Sequence, residues 1–204
     1  MAFKNESGKF NVGTYTGNGS DNRDITGVGF KPNWVFTKAV TAIEAAQRYD
    51  TYTADASTKF SAYNYNVNLI QSLSGDGFQV GTDDTANKNT VVYYYIAFGG
   101  YTKSTLSGNF SMNTGNYYGD GTTSRSISDV GFNPDIVMIK QDNSTNGLYF
   151  APKDLAESKY MLQLDSVAAS PNFLTNFNST GFQLSNNTLN TVNVIYQWLA
   201  FKDN

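Results

Sequence analysis

The sequence has no cysteine and no histidine. Without cysteine there is no disulfide and no thiolate chemistry. Without histidine there is no imidazole to serve as base, metal ligand or pH switch near neutrality. Charge is scarce too. Charged residues make up 15% of the 204, against about 25% in an average globular domain. The formal charge is −3, the pI is about 4.8, and no Lys/Arg cluster occurs, so no nucleic-acid partner is expected. The longest apolar run is Val91 to Phe98, VVYYYIAF. It falls far short of the roughly 20 residues of a membrane helix, and no membrane insertion is expected. The opening MAFKNESGKF lacks an apolar h-region, so no Sec signal peptide is expected.

Asn, Ser, Thr, Gly and Tyr fill the place of the missing charges. Aromatic residues reach 15%, which is not the composition of a disordered chain. Two units of about 100 residues would each be large enough to bury a core.

A repeat suggests such a division. The stretch Tyr15 to Lys38 returns as Tyr117 to Lys140 without a gap. Tyr15, Gly17, Gly19, Arg23, Ile25, Val28, Gly29, Phe30, Pro32, Val35 and Lys38 meet identical residue types 102 positions later. Gly77-Phe78-Gln79-Val80 then matches Gly181-Phe182-Gln183-Leu184, and Val91–Phe98 matches Val194–Phe201. The expectation is a tandem duplication, with domains 1–100 and 101–204 joined near Gly99–Ser104.

The local patterns are those of β structure. Asn18-Gly19 and Asp120-Gly121 carry the chemistry of a type I′ turn, which predicts a β-hairpin in each copy. Pro32 and Pro134 suit strand entries, followed by the buried-type strands Trp34–Phe36 and Ile136–Ile139. In the closing strands one face holds Tyr93, Tyr95 and Ala97 and the other Tyr94, Ile96 and Phe98. Both faces are largely apolar, as in a central strand. Gln197 opposite Tyr94 suggests that the second face is the less buried there. Ala39–Arg48 has helical propensity, whereas its counterpart Gln141–Gly147 reads as a loop. Tyr49–Thr53, Leu148–Ala151, Lys159–Leu164 and Asn172–Phe177 read as strands, and Pro152–Ser158 as a helical turn. Ala62–Leu69 alternates Tyr63, Tyr65, Val67 and Leu69 with asparagines, a half-buried strand pattern. Many short strands with regular turn signals indicate an all-β protein of two β-sandwiches, jelly-roll or lectin-like.

Catalysis would have to rest on carboxylates, hydroxyls or lysine. A glycosidase needs two carboxylates at set separations. No acidic residue is shared by the matched cores: Asp21 meets Thr123, Asp24 meets Ser126, Asp129 meets Gly27 and Asp135 meets Asn33. The reading is therefore non-enzymatic, with no cofactor. Asp83-Asp84 with Asn87 and Asn89 could offer oxygen ligands to Ca²⁺. Their counterparts have lost both carboxylates, and a solvated turn is the simpler reading. Arg23/Arg125 and Lys38/Lys140 are the charges kept in both copies. Capping of backbone carbonyls or pairing with a carboxylate explains them better than ligand binding does. Tyr63 and Tyr65, flanked by amides, are the candidate ligand-binding residues, since a phenol ring can stack on a sugar face. For Trp34, Trp198 and Tyr93 a core role is expected.

The pattern Y-x-G-x-G-x-x-x-R-x-I-x-x-V-G-F-x-P-x-x-V-x-x-K, followed by G-F-Q-[VL] and an Ala-Phe ending, resembles a module of bacteriophage virion proteins. That module occurs in tail-fibre and other virion-surface proteins. The acidic residue expected after the proline is present as Asp135 and replaced by Asn33. The resemblance implies architecture and a virion-surface setting, synthesis in the host cytoplasm, and other virion proteins as partners. A homo-oligomer or a multi-copy arrangement in the particle would follow. It carries over no active site. Two roles compete: a capsid decoration or cement protein, and a tail-fibre or tail-tip module recognising host surface glycans.

Overall fold

The structure is a computed structural model that describes residues 7–60, 65–99, 110–142, 147–154, 160–163, 169–171, 173–185 and 188–204. Among the described residues it is all-β apart from the short helix Asp84–Asn87 and helical residues at Lys153 and Asp154. The chain divides into two compact units, Met1–Gly100 and Tyr101–Asn204.

In the first unit the strands are β1 (Phe10–Thr16), β2 (Arg23–Ile25), β3 (Pro32–Ala39), β4 (Ala45–Tyr49) and β5 (Ser57–Lys59). Then come β6 (Tyr65–Asn66), β7 (Ile70–Ser74), β8 (Gly77–Val80), helix α1 (Asp84–Asn87) and β9 (Val92–Gly99). They form a six-stranded sheet in the order β1-β9-β3-β4-β5-β6 and a three-stranded sheet β2-β8-β7. All pairings are antiparallel. The apolar core is shared by the two sheets in a sandwich-like arrangement. Tyr15, Val35, Tyr93 and Ala97 come from the larger sheet, and Ile25, Ile70, Phe78 and Val80 from the smaller.

In the second unit the strands are β10 (Phe110–Tyr118), β11 (Ser126–Ile127), β12 (Ile136–Gln141), β13 (Tyr149–Pro152) and β14 (Tyr160–Gln163). They continue with β15 (Ala169–Pro171), β16 (Leu174–Asn178), β17 (Gly181–Leu184) and β18 (Ile195–Asp203). The sheets are β10-β18-β12-β13-β14-β15 and β11-β17-β16. Tyr117, Val137, Tyr196 and Trp198 face Ile127, Leu174, Phe182 and Leu184 across its core.

The closing strands lie where their apolar faces require. β9 runs between β1 and β3, and β18 between β10 and β12. Tyr93, Tyr95 and Ala97 point into the core, whereas Tyr94 is 58% exposed on the outer face. Gln197, at the position of Tyr94, behaves oppositely to expectation. It is buried, because its amide donates to Asp142 Oδ2 at 2.9 Å.

Several local expectations are corrected. There is no hairpin at Asn18-Gly19 or Asp120-Gly121. β1 pairs with β9 and β2 with β8, so the turn carries the chain between sheets, and the same holds for β10 and β11. Gly19 has a left-handed φ of 69° but Asn18 does not, and a type I′ turn needs both. Ala39–Arg48 is not helical. It holds the end of β3, a turn and most of β4, with Thr37 opposite Ala46 and Val35 opposite Arg48. Helical propensity yields here to burial of Ala46, Gln47, Arg48 and Tyr49. The strand placed at Tyr49–Thr53 ends at Tyr49 instead. In Ala62–Leu69 only Tyr65–Asn66 is a strand within the described residues. Tyr65 and Val67 are exposed and Asn68 takes a φ of 63°, which breaks the alternation. Of the turn placed at Pro152–Ser158, Lys153 and Asp154 are helical and the rest lies outside the described residues. The Gly99–Ser104 junction falls beyond Gly99 outside them as well.

Candidate functional site

The repeated motif builds the same clasp in both units. Tyr15 and Tyr93 are register partners on β1 and β9. Their rings stack at 5.2 Å with an interplanar angle of 11°, and Tyr117 and Tyr196 do so at 5.1 Å and 13°. The Tyr15 hydroxyl donates to Ala86 O at 2.6 Å, and that of Tyr117 to Leu189 O at 2.7 Å. Burial pushes both phenols well above their ordinary pKa, so they remain neutral donors. The Arg23 guanidinium lies 5.7 Å from the Tyr15 ring centroid, and that of Arg125 lies 5.2 Å from Tyr117. Each arginine donates to a strand-end carbonyl, Thr16 O or Tyr118 O.

An asparagine closes the clasp from the opposite side. Asn87 Oδ1 accepts from Asn18 N at 3.0 Å and Arg23 Nη1 at 3.2 Å. Its Nδ2 donates to Ser20 O and Gly81 O, each at 2.8 Å. Asn190 repeats the arrangement. It accepts from Asp120 N and Arg125 Nη1, each at 3.1 Å, and donates to Asp120 Oδ1 at 2.6 Å and Thr122 O at 2.9 Å. Both asparagines are fully buried. Gly17 and Gly119 are required by close approach, since a Cβ there would collide with Lys88 O or Thr191 O.

Lys38 of the motif and Arg48 beyond it are spent on the backbone in the same way. Lys38 Nζ donates to Ala39 O, Thr41 O and Ile43 O at 3.0, 2.9 and 2.7 Å, closing the β3–β4 turn. Lys140 is fully buried. Arg48 is also buried, and donates to Ile70 O at 3.1 Å, Ala54 O at 2.8 Å, Tyr52 O at 3.3 Å and Ala56 O. Burial lowers its pKa, offset in part by the nearby Asp55.

The acidic residues are dispersed over local tasks. Asp83 caps α1 by accepting from Thr85 N at 2.7 Å, and Asp84 pairs with Lys88 at 3.1 Å. The two are thus helix-end groups. Asn87, grouped with them as a possible cation ligand, is the centre of the clasp. Asp76 is exposed and accepts from Gly29 N at 2.7 Å and Gly27 N at 3.1 Å, which hold its carboxyl below the usual range. Among the described residues, no group of three or more acidic side chains converges as metal ligands.

The accessible apolar features lie elsewhere. On the outer face of the larger sheet in the first unit, Val12, Ile96, Phe36, Gln47, Thr58 and Tyr65 form one register row, exposed at its ends and buried at Gln47 and Thr58. Tyr65 stands at one end of that face, 47% exposed. Near the other end, an open hollow of about 380 Å³ lies over Val12, Thr14, Tyr94 and Ile96. β6 and β9 are four strands apart, roughly 19 Å at the usual strand spacing, so Tyr65 and Tyr94 do not form one site. Tyr63 lies outside the described residues. Tyr94 was missed as an exposed ring because its strand reads as apolar on both faces. Trp34, Trp198 and Tyr93 are buried, in keeping with a core role.

Among known proteins, the family described as a domain of unknown function (DUF7483) matches residues 5–111, slightly more than half of the chain. No curated protein and no solved structure matches it. The match takes in the whole first clasp, from Tyr15 to Tyr93, and the chain belongs to the DUF7483 family.

Proposed function

We propose that this is a non-enzymatic structural protein of the bacteriophage particle surface, acting as a capsid decoration or cement protein. The observation that carries the reading is the use made of the repeated motif. Tyr15, Arg23, Lys38, Tyr117 and Arg125 bond or cap backbone carbonyls. Such residues serve a rigid, repeated scaffold. The virion setting is supported by the resemblance of that motif to the phage module. The two units are read as duplicated domains, 1–100 and 101–204, each a β-sandwich of jelly-roll or lectin-like type. Matching strand orders and the paired clasps support the duplication. The partners are other virion proteins, with many copies per particle, and the acidic, weakly charged composition speaks against nucleic acid.

The second reading is a tail-fibre or tail-tip module that recognises host glycans. The exposed rings of Tyr65 and Tyr94 favour it. Quantitative mass spectrometry of purified particles decides between the two. Decoration requires a copy number near that of the major capsid protein or a simple fraction of it. A ratio lower by about an order of magnitude moves the protein to the tail, where glycan-array binding sensitive to Tyr65→Ala or Tyr94→Ala becomes the test. Absence from the particle overturns both.

A further inference from the structure

We propose that Asn18 is a deamidation site shielded by the clasp, and that the first unit is built to accept the aspartate that the reaction produces. Asn18 is exposed and is followed by Gly19, the neighbour that least obstructs the chemistry. In that reaction Gly19 N loses its proton and its lone pair bonds to Asn18 Cγ. The Cγ–Nδ2 bond breaks and the nitrogen leaves as ammonia. Water then opens the succinimide ring. Attack at the side-chain carbonyl gives aspartate, and attack at the main-chain carbonyl gives isoaspartate.

In the folded chain both reacting groups are held. Gly19 N donates to Asn87 O at 2.9 Å, so the attacking nitrogen is engaged. Asn18 Oδ1 accepts from Ser20 N at 2.9 Å and from Asn87 Nδ2 at 3.3 Å, so the side chain is tied in place. Asn18 N is held by Asn87 Oδ1. Reaction therefore requires the loop to leave Asn87.

The second unit shows how the product is received. Its matched residue is Asp120, also followed by a glycine, Gly121. Asp120 Oδ1 accepts from Thr122 N at 2.9 Å and from Asn190 Nδ2 at 2.6 Å, and Oδ2 lies 3.5 Å from Arg125 Nε. In the first unit Ser20 N and Asn87 Nδ2 already donate to Asn18 Oδ1, and Arg23 bonds Asn87 Oδ1 as Arg125 bonds Asn190 Oδ1. An aspartate at position 18 would gain an ion pair without rebuilding the loop. Isoaspartate, with an extra backbone carbon, would not fit.

The test follows the tryptic peptide of residues 10–23 by mass spectrometry, in mildly alkaline buffer, for folded protein and for the chain in concentrated urea. Conversion at Asn18 should be roughly tenfold or more slower in the folded protein, as expected for reaction through local opening; equal rates overturn the shielding. Asn87→Ala, assayed where circular dichroism shows it folded, should react faster than wild type, and an unchanged rate again overturns it. If that variant does not fold, wild type in urea below its unfolding transition replaces it, and the rate should rise with urea. Asn18→Asp should melt at or above the wild-type temperature, and a markedly lower melting temperature would overturn the claim that the loop accepts aspartate.

Discussion

Two buried asparagines, Asn87 and Asn190, tie the repeated loops in place. Asn87 joins residues 18–20 to Gly81 O, and Asn190 holds residues 120–122; both amides are themselves fully buried. Truncating either leaves buried or part-buried polar groups without a partner, and a fully buried one costs about 1–3 kcal/mol. Asn87→Ala and Asn190→Ala should therefore each lower stability by about 2–4 kcal/mol in urea denaturation. Arg48→Met belongs with them, since it strips donors from the carbonyls of Tyr52, Ala54, Ala56 and Ile70. A comparable loss is expected there. Asp120 brings a pH dependence. Its carboxyl is held down at about 2, first by the Thr122 amide and hydroxyl, then by Asn190 and Arg125. A depressed acid contributes its stability fully above its ordinary value near 3.8, and that contribution is lost as pH falls towards about 2. Carboxyl NMR should place the Asp120 midpoint close to 2, and Asp120→Asn should remove this component of the acid response. A midpoint near 4 would mean that the loop bonds are absent in solution.

At the scale of elements, the link between sheets depends on a glycine that admits a foreign carbonyl. Gly17→Ala drives a methyl group into Lys88 O, and Gly119→Ala into Thr191 O. Neither obstacle is a flexible side-chain end, so each substitution should cost about 2–3 kcal/mol and lower the melting temperature accordingly. Tyr94→Ser, on the open outer face, should change it far less. These differences also show what could be read beforehand. β3, β8, β9 and their counterparts were legible because their apolar patterns and flanking Gly or Pro agree with burial on a sheet. The crossing at Asn18-Gly19 was not. Its turn chemistry favours a hairpin, and the partner that overrides it is Asn87, some 69 residues away. β4 was hidden by the alanines of AVTAIEAAQR, whose helical tendency is local while their burial against β3 is not. Of the clasp, Tyr15, Gly17 and Arg23 stood out through repetition. Asn87 was visible only as a possible cation ligand, because an amide that bridges backbone groups leaves no periodic trace.

At the scale of the whole molecule, two compact units with separate cores predict separable responses to damage. Hydrogen exchange should show Asn87→Ala loosening residues 7–99 and leaving 110–204 protected, with Asn190→Ala doing the reverse. The double variant should then show additive losses, as distant and independent sites do. Loosening of both units by one substitution would mean that they fold as a single cooperative body, and would count against reading 1–100 and 101–204 as domains.

The chain has two tryptophans, and they fall one to each unit: Trp34 on β3 and Trp198 on β18, both buried. Each unit thus contains its own fluorophore. Trp34→Phe leaves an emission that reports on the second unit alone, and Trp198→Phe leaves one that reports on the first. The order in which the halves melt could then be followed optically in the intact chain, without attaching a dye.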